Sequence, residues 1–313
     1  MHSIKEFLST QTLQHMKEIE QQKLVVLPSS MMIEKAFDKL MEEHILCAPV
    51  ANEEGRVLGL VDVKDFVEYI LLIYGKSTRS VQELELDAEF SVKNIKNLSL
   101  RNPLLNIGID APLITVLELF QSGIHRLAVS DGDINNITHM VSQGSVISFL
   151  LDHLDRLGDY AQKAISALPH FGTKAQPVQE NISVLSAFEF IHKHKFHGTA
   201  IVSKQGELVG SISVTDLKYA ADNIERLEVP LCEFWEKEEW ERRKEHLLTC
   251  TEDDTFGEVV RKLKEGRVHR LFVVEKESFR PLRVISLTDV MRAVLAFAEE
   301  EEQAKRRNEE GEE

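Results

Sequence analysis

Segments of this sequence recur at constant spacing, which restricts the folds open to it. His269-Arg270-Leu271 follows His125-Arg126-Leu127 by 144 residues, and Ser286 follows Ser142 by the same 144 residues. A second pair of segments, NEEGRVLGLVDVKDF and SKQGELVGSISVTDL, shares an offset of 151 residues and repeats two glycines and an acid. Because chance alternation of apolar residues would not keep these offsets, the sequence predicts four similar units that form two similar halves.

Each unit has the same predicted order of strands and helices, and residues 247–297 show it most fully. A short apolar run precedes a helix pattern whose first turn can be capped by residues 253–255. Two β runs follow, at 271–274 and 284–286, and the second passes directly into a helix at Asp289. The order β-α-β-β-α in four copies predicts an α/β fold.

The turn between that last strand and its helix, Ser286-Leu287-Thr288-Asp289, has two interpretations. It is a capping box, in which the serine oxygen and the acid each satisfy a backbone N–H of the first turn. Alternatively, a carboxylate at the end of a strand lies at a crevice and accepts both hydroxyls of a ribose. Matching turns carry Asp65 and Asp216, whereas Ser145 replaces the acid in the second unit. A single copy does not decide between the two interpretations.

These residues resemble the CBS-domain family, whose signature is a strand ending in Gly-h-h-Ser/Thr-x-x-Asp, where h is hydrophobic. The segment Gly210-Ser211-Ile212-Ser213-Val214-Thr215-Asp216 matches it completely. Four repeats, with IHRLAV in the second and VHRLFVV in the fourth, look more particularly like the γ regulatory subunit of AMP-activated protein kinase. The resemblance covers about residues 20–298. It implies two tandem CBS pairs (Bateman modules) in a disc-like, pseudo-symmetric assembly.

The chain divides accordingly into repeats and connections. The four repeats are predicted at residues 23–75, 101–152, 176–222 and 247–298. The other segments are an N-terminal helical segment, two linkers, an inter-repeat helix and an acidic disordered tail, at 1–22, 76–100, 153–175, 223–246 and 299–313. The N-terminal segment either packs on its own repeat or docks a partner, and we expect packing because short helices gain their stability that way.

The resemblance implies a nucleotide site with several kinds of residue. A ribose diol needs acceptors, for which the candidates are Asp65, Asp216 and Asp289. The turns supply further polar groups, from Asp62, Ser142, Ser213, Thr215, Ser286 and Thr288. A phosphate needs cationic donors, for which the candidates are His125, Arg126, His269 and Arg270. The adenine pocket is assigned to Leu104, His197, Gly198 and Leu248.

Three positions depart from the pattern of the kinase subunits. Asp62 replaces the expected Ser or Thr and places a second negative charge beside any phosphate, unless Lys64 offsets it. Leu46 stands where those subunits usually have arginine, and Gly144 where they tend to carry lysine. Two alternatives therefore stay open: a stand-alone CBS protein that binds another adenosyl ligand, such as S-adenosylmethionine, and a ligand-free scaffold whose turns are only helix caps.

Composition and motifs argue against several other functions. The net charge of −15 disfavours a nucleic-acid surface or an anionic-membrane patch, and the longest apolar run, around 67–74, is too short to span a bilayer. No nucleophile motif, Gly-rich phosphate loop or kinase signature is present, so no enzymatic activity is expected. The histidines near 192–197 lack carboxylate or cysteine partners at metal-ligand spacing, so no metal is expected.

The predicted function is a non-catalytic, energy-sensing subunit that binds AMP, ADP or ATP. The resemblance implies protein kinase catalytic and scaffold subunits as partners, and no cofactor beyond the nucleotide. Cys47, Cys232 and Cys250 are predicted to be buried thiols in a reducing compartment. A cytoplasmic location, extending to the nucleus, is the corresponding expectation.

Overall fold

A computed structural model describes residues 3–74, 91–221 and 223–310. Within them the chain forms four small β-sheets, three with three strands and one with four. In each sheet the short first strand lies parallel to the central strand, which pairs antiparallel with the third. The predicted α/β fold of four β-α-β-β-α repeats is confirmed.

The N-terminal segment and repeat one come first. The segment forms α1 (Ile4–Thr10), a 3-10 helix (Leu13–His15) and α2 (Lys17–Glu20). Repeat one consists of β1 (Leu27–Pro28), α3 (Ile33–Glu42), β2 (Cys47–Ala51), β3 (Val57–Asp62) and α4 (Val63–Tyr74). Residues 76–90 of the first predicted linker lie outside the described residues, and the rest of it contains α5 (Val92–Ile95).

Repeat two has the same order of strands and helices as repeat one, although its last turn lacks the aspartate. It consists of β4 (Asn106–Ile107), α6 (Leu113–Gln121), β5 (Arg126–Ser130), β6 (Ile137–Ser142) and α7 (Gln143–Asp152). The second predicted linker is structured, because its 3-10 helices bury apolar side chains in the core. Its elements are the 3-10 helices Leu154–Gln162 and Ile165–Ala167, followed by β7 (Thr173–Lys174).

Repeat three ends in a 3-10 helix rather than an α-helix. It consists of β8 (Val178–Gln179), α8 (Val184–Lys193), β9 (Gly198–Val202), β10 (Leu208–Ser213) and the 3-10 helix Val214–Tyr219. The prediction of one helix over 223–246 is wrong, since Pro230 interrupts the segment. It forms a 3-10 helix (Ile224–Leu227), α9 (Leu231–Phe234) and α10 (Lys237–Glu245).

Repeat four and the C-terminal segment form one continuous unit. The elements are β11 (Thr249–Cys250), α11 (Phe256–Glu265), β12 (Arg270–Val274), β13 (Pro281–Ser286) and α12 (Leu287–Glu310). Strand β7 pairs with β13 and so becomes the fourth strand of this sheet.

The prediction of a disordered acidic tail is wrong for residues 299–310, which extend α12. The first turns of α12 are buried in the core, and this packing offsets the free-energy cost of nucleating the helix. The helix can therefore propagate into the acidic residues. Lys5 Nζ donates to Glu302 at 2.9 Å, and the Ile4 N–H donates to Glu301 at 2.7 Å. Residues 311–313 lie outside the described residues.

The helices pack across the two halves of the chain. One core joins repeats one and three and contains Phe37, Phe66, Phe188 and Trp235. The other joins repeats two and four and contains Phe120, Phe149, Phe256 and Met291. The N-terminal segment buries Phe7, Leu8 and Leu13 in this second core, so it packs on repeats two and four and not, as expected, on its own repeat.

The sheets pack within each half. Cys47 and Leu60 of repeat one contact Ala128 and Met140 of repeat two. Ala200 and Leu208 of repeat three likewise contact Phe272 and Val274 of repeat four. Sheet contacts within halves and helix contacts between halves close the four repeats into a ring with pseudo-symmetry.

Three smaller observations complete the fold. All three cysteines are free; Cys47 and Cys250 are buried and Cys232 is half-buried. No helix in the described part of the chain is both long and apolar enough to cross a membrane. Across residues 3–74, 91–221 and 223–310, no cluster of three or more His, Cys, Asp or Glu side chains is arranged to hold a metal ion.

Candidate functional site

Two cavities lie at the centre of the ring, where the repeats meet. Cavity 1 has a volume of about 520 Å³ and is lined from every repeat, by residues that include Lys64, His125, His197 and Asp289. Cavity 2 has a volume of about 870 Å³ and is covered by α10, and its lining includes Arg126, Ser213, Arg243 and Leu248. Both volumes are ordinary for small-molecule sites.

Asp289 in repeat four serves as a helix cap and still faces a cavity. Its Oδ2 accepts from the Ser286 N–H at 2.8 Å and from Ser286 Oγ at 2.6 Å. Its Oδ1 lies 3.5 Å from Arg292 Nη1, a side chain that is 54% exposed, and Asp289 lines cavity 1. The two interpretations of this turn are therefore compatible, because capping uses one carboxylate oxygen and the residue still lines the cavity.

Asp65 in repeat one is sealed from solvent. Its Oδ2 accepts from the Asp62 N–H at 2.8 Å, and its Oδ1 accepts from Ser99 Oγ at 2.6 Å and the Ser99 N–H at 2.8 Å. The residue is 0% exposed. Because the segment after α5 covers this carboxylate, the prediction that Asp65 accepts a ribose is wrong for this arrangement.

Asp216 in repeat three is covered by a different group. Its Oδ2 accepts from the Ser213 N–H at 2.7 Å and from Ser213 Oγ at 2.9 Å, as in repeat four. Its Oδ1 accepts from Arg243 Nη2 at 2.8 Å, and the residue is 4% exposed. The arginine comes from α10, so the inter-repeat segment occupies the oxygen predicted to bind a ribose.

The turn residues divide between the two cavities. Asp62, Ser286 and Thr288 line cavity 1, Ser213 and Thr215 line cavity 2, and Ser142 lines both. In repeat two, Ser142 Oγ accepts from the Ser145 N–H at 3.2 Å and so caps α7 without an acid. Gln143 Nε2 donates to Thr288 Oγ1 at 2.9 Å, which links the turns of repeats two and four.

The two predicted His-Arg pairs meet at the centre of the ring. His125, Arg126, His269 and Arg270 all line cavity 1, and all but His125 also line cavity 2. Arg126 Nη1 donates to Asp62 Oδ2 at 2.5 Å. The unexpected acid of repeat one therefore neutralises one of the candidate phosphate-binding arginines.

Burial and crowded positive charge shift the pKa values around cavity 1. Burial lowers the pKa of Lys64 to about 8, of His125 to about 3 and of Arg270 to about 10. Burial, and then the charges of Arg126 and Arg270, lower the pKa of His269 to about 4. Burial also lowers the pKa of His197. At neutral pH the three imidazoles are therefore uncharged, and the positive charge at this cavity comes from its lysine and arginine side chains.

The predicted adenine-pocket residues fall into three places. His197 and Gly198 line cavity 1, where the His197 ring meets His125 edge-on at 4.2 Å between centroids. Leu248 lines cavity 2. Leu104 is not among the residues lining either cavity and packs against the apolar contact between the sheets of repeats one and two, so its assignment to the pocket stays a prediction. Gly198 is required by close packing: a Cβ there would lie 2.5 Å from the Ile212 carbonyl oxygen and would collide with Arg270.

Four residues with direct roles at these sites were not predicted from the sequence. Lys64 and Arg101 line cavity 1, Ser99 covers Asp65 and Arg243 covers Asp216. Lys64 lies inside a recognised turn, where the sequence suggested it only as an offset to the charge of Asp62. Ser99 and Arg243 lie in connecting segments and Arg101 is the first residue of predicted repeat two, and no repeat spacing marks any of them.

Comparison with known proteins identifies the family of the repeats. A family model described as CBS domain matches residues 16–72, 173–223 and 243–296, which correspond to the repeats that carry an acid. Protein SDS23 of Vanderwaltozyma polyspora is 30% identical over 220 residues, covering 64% of this chain and 42% of that protein. Protein SDS23 of Kluyveromyces lactis is 25% identical over 315 residues, covering 87% and 60%. The chain thus spans less than two thirds of the length of these relatives.

A solved structure shares the four-repeat arrangement. Protein MJ1225 from Methanocaldococcus jannaschii, described as a candidate archaeal homologue of g-AMPK, has a TM-score of 0.67 at 20% sequence identity. The match covers 87% of this chain and 96% of that one. At this identity the likeness shows the fold.

Proposed function

This chain is a member of the CBS-domain family, and from that premise we propose that it is a non-catalytic regulatory protein that binds an adenine nucleotide in cavity 1. One observation carries the proposal. Of the three predicted ribose acids, all of them among the described residues, Asp289 alone lines a cavity. The same cavity holds the cationic groups that a phosphate requires.

The proposed site divides the nucleotide between two kinds of group. Asp289 Oδ1 accepts the ribose hydroxyls while Oδ2 keeps capping α12. Lys64 and Arg270 face the phosphate as cations, and the neutral His125 ring can donate a hydrogen bond to it. Gly198 leaves room for Arg270 beside strand β9, which fixes the guanidinium at the cavity wall.

We further propose that this regulatory protein is a γ-type subunit of a complex like AMP-activated protein kinase. The ring of four repeats and the likeness to the Methanocaldococcus jannaschii chain support it. AMP, ADP and ATP are then the ligands, and kinase catalytic and scaffold subunits are the partners. The expected location is the cytoplasm and the nucleus. By linkage, the nucleotide can shift the conformational equilibrium of the complex only by the difference between its binding free energies for the two conformations.

Calorimetry tests the ligand. We expect AMP and ATP to bind the wild-type chain, and S-adenosylmethionine, which lacks a phosphate, to bind far more weakly. Lys64→Met removes a charge at the wall of cavity 1 and should weaken AMP binding roughly tenfold. Lys39→Met, at an exposed position outside both cavities, is the matched control. Equal binding of S-adenosylmethionine, unchanged by Lys64→Met, would favour the stand-alone adenosyl-binding protein instead.

A pull-down tests the partner. Tagged chain purified from its native cells under mild conditions should carry a protein kinase catalytic subunit in stoichiometric amount. If AMP binds in calorimetry and no kinase subunit copurifies, the nucleotide site stands and the γ-type role is rejected.

A further inference from the structure

Cavity 2 differs from cavity 1 in its charged groups. Its lining contains five arginines and a single acid, Glu239; the arginines are Arg126, Arg242, Arg243, Arg267 and Arg270. Glu239 is already used, since its Oε2 accepts from Arg242 at 2.6 Å. Within the described part of the chain, the Arg267 and Arg270 guanidinium groups form no ion pair or side-chain hydrogen bond. Cavity 2 therefore has an excess of guanidinium charge.

The same cavity lacks an available ribose acceptor. Both Asp216 oxygens are taken, one by the Ser213 cap and the other by Arg243 at 2.8 Å. A ribose could reach this carboxylate only by replacing an ion pair that is mostly shielded from water. The geometry of repeat three thus opposes the contact that its sequence signature predicts.

Packing holds Arg243 in this position. Its guanidinium lies 4.4 Å from the centre of the Trp235 ring, and Trp235 stacks on Trp240 at 5.4 Å with an interplanar angle of 9°. Gly210 in β10 allows this approach, because a Cβ there would lie 2.9 Å from the Trp240 ring. Helix α10 is thus fixed against the repeat-three sheet, and Arg243 is placed over Asp216 by the fold.

We propose that Arg243 determines the specificity of cavity 2, which binds the phosphate chain of a linear polyphosphate ligand and does not recognise a ribose. Guanidinium groups bind phosphate oxygens in bidentate fashion, and several of them match successive phosphates of a chain. The proposal goes beyond nucleotide binding in cavity 1 and does not depend on it. The recognised chemistry is a run of linked phosphates, which inorganic polyphosphate and nucleoside triphosphates share.

Tryptophan fluorescence reports on cavity 2 directly. The chain has two tryptophans, and both lie in the stack that holds Arg243. Titration with inorganic tripolyphosphate should change their emission to saturation, because the bound phosphates place negative charge beside the guanidinium that lies on the Trp235 ring. ATP should act with an affinity within about threefold of tripolyphosphate, and adenosine should have no effect. An emission change with adenosine, or none with tripolyphosphate, would overturn the proposal.

Substitutions separate phosphate from ribose recognition. Arg267→Ala and Arg243→Gln should each weaken tripolyphosphate binding roughly tenfold, as expected for losing a charge-assisted contact. Arg56→Ala removes an exposed arginine far from the cavity and should leave binding unchanged. Circular dichroism checks that the variants fold.

Asp216→Asn gives the decisive comparison. It keeps the shape of the side chain and releases Arg243 from its ion pair, so tripolyphosphate should bind as well as before or more tightly. A tenfold loss of ATP affinity in Asp216→Asn would show that the carboxylate is used for ribose and would refute the proposal. AMP binding in cavity 1, followed by calorimetry with Asp289→Ala, is a separate measurement, so the two proposals can fail independently.

Discussion

Repeats one and four carry the same acid at the same turn, yet the structure treats the two acids differently. Asp65 is 0% exposed and accepts three hydrogen bonds, two of them from Ser99. Asp289 caps its helix with one oxygen and presents the other at the wall of cavity 1. The two turns share only this final acid, and the bonds from Ser99 show that the segment after α5 takes the second oxygen of Asp65.

This contrast shows that the signature turn has two separable uses. As a cap it stabilises the strand-to-helix connection in every repeat, with Ser142 and Ser145 sufficing in repeat two. As an acceptor it serves a ligand only where no other segment covers it. A signature match therefore identifies the fold of a repeat, whereas the segments between repeats decide whether that repeat keeps an open site.

The largest expected effect is on stability at Asp65. Asp65→Ala leaves three donors without a partner in a buried position and should lower the free energy of unfolding by about 3 kcal/mol, measured by urea denaturation. Ser99→Ala removes one of these bonds and should cost about 1 kcal/mol. AMP affinity of the folded Asp65→Ala protein should be unchanged. A weaker AMP complex with normal stability would mean that Asp65 contacts ligand after all.

Asp289 should show the opposite pattern. Asp289→Ala should weaken AMP binding by about 2 kcal/mol, or roughly thirtyfold, because two ribose hydroxyls lose a charged acceptor. Stability should fall by only about 1 kcal/mol, the usual value of a cap. Ser145→Ala, at the same position of repeat two, is the matched control in calorimetry. Equal affinity of Asp289→Ala and wild type would remove the ribose contact from cavity 1.

The sealed acid also predicts a pH dependence. Burial, followed by the charge of Asp62, raises the pKa of Asp65 to about 7, whereas an aspartate in an unfolded chain titrates near pH 3.9. Between roughly pH 4 and 7 the folded state binds more protons, so stability should fall as pH rises, by at most about 1.4 kcal/mol per pH unit. Asp65→Asn should lose this part of the slope. Parallel stability curves for the two proteins would contradict the assignment.

The smallest effect should come from restoring an acid in repeat two. Ser145→Asp completes the capping box with Ser142 and places a negative charge in the first turn of α7. We expect a gain of about 0.5 kcal/mol in the free energy of unfolding. Nucleotide affinity should not change, because Ser145 is not among the residues that line either cavity. A gain in AMP affinity would show that capping and ligand binding are not separable.

The sequence was sufficient for the repeats and for the shared centre of the ring. Constant offsets fixed the order of strands and helices, and the same offsets placed His125, Arg126, His269 and Arg270 around common cavities. These features depend on a local sequence pattern that occurs four times, and such repetition can be recognised within a single sequence.

The parts that could not be predicted depend on contacts between distant segments. Ser99 lies 34 residues from Asp65, in a linker without periodic pattern. Arg243 lies in the inter-repeat segment, where burial of Trp235 and Trp240 turns α10 towards Asp216. The acidic composition of residues 299–310 predicted disorder. These residues are helical because they continue a helix whose first turns are buried.

The packing of residues 4–19 against helix α12 determines when this segment can reach its native position during synthesis. Phe7, Leu8 and Leu13 are translated before repeats two and four, which supply most of the surface that covers them. The bond between Ile4 and Glu301 spans 297 residues. This segment therefore lacks its native cover until repeat four is translated, so closure of the ring is a late event in folding.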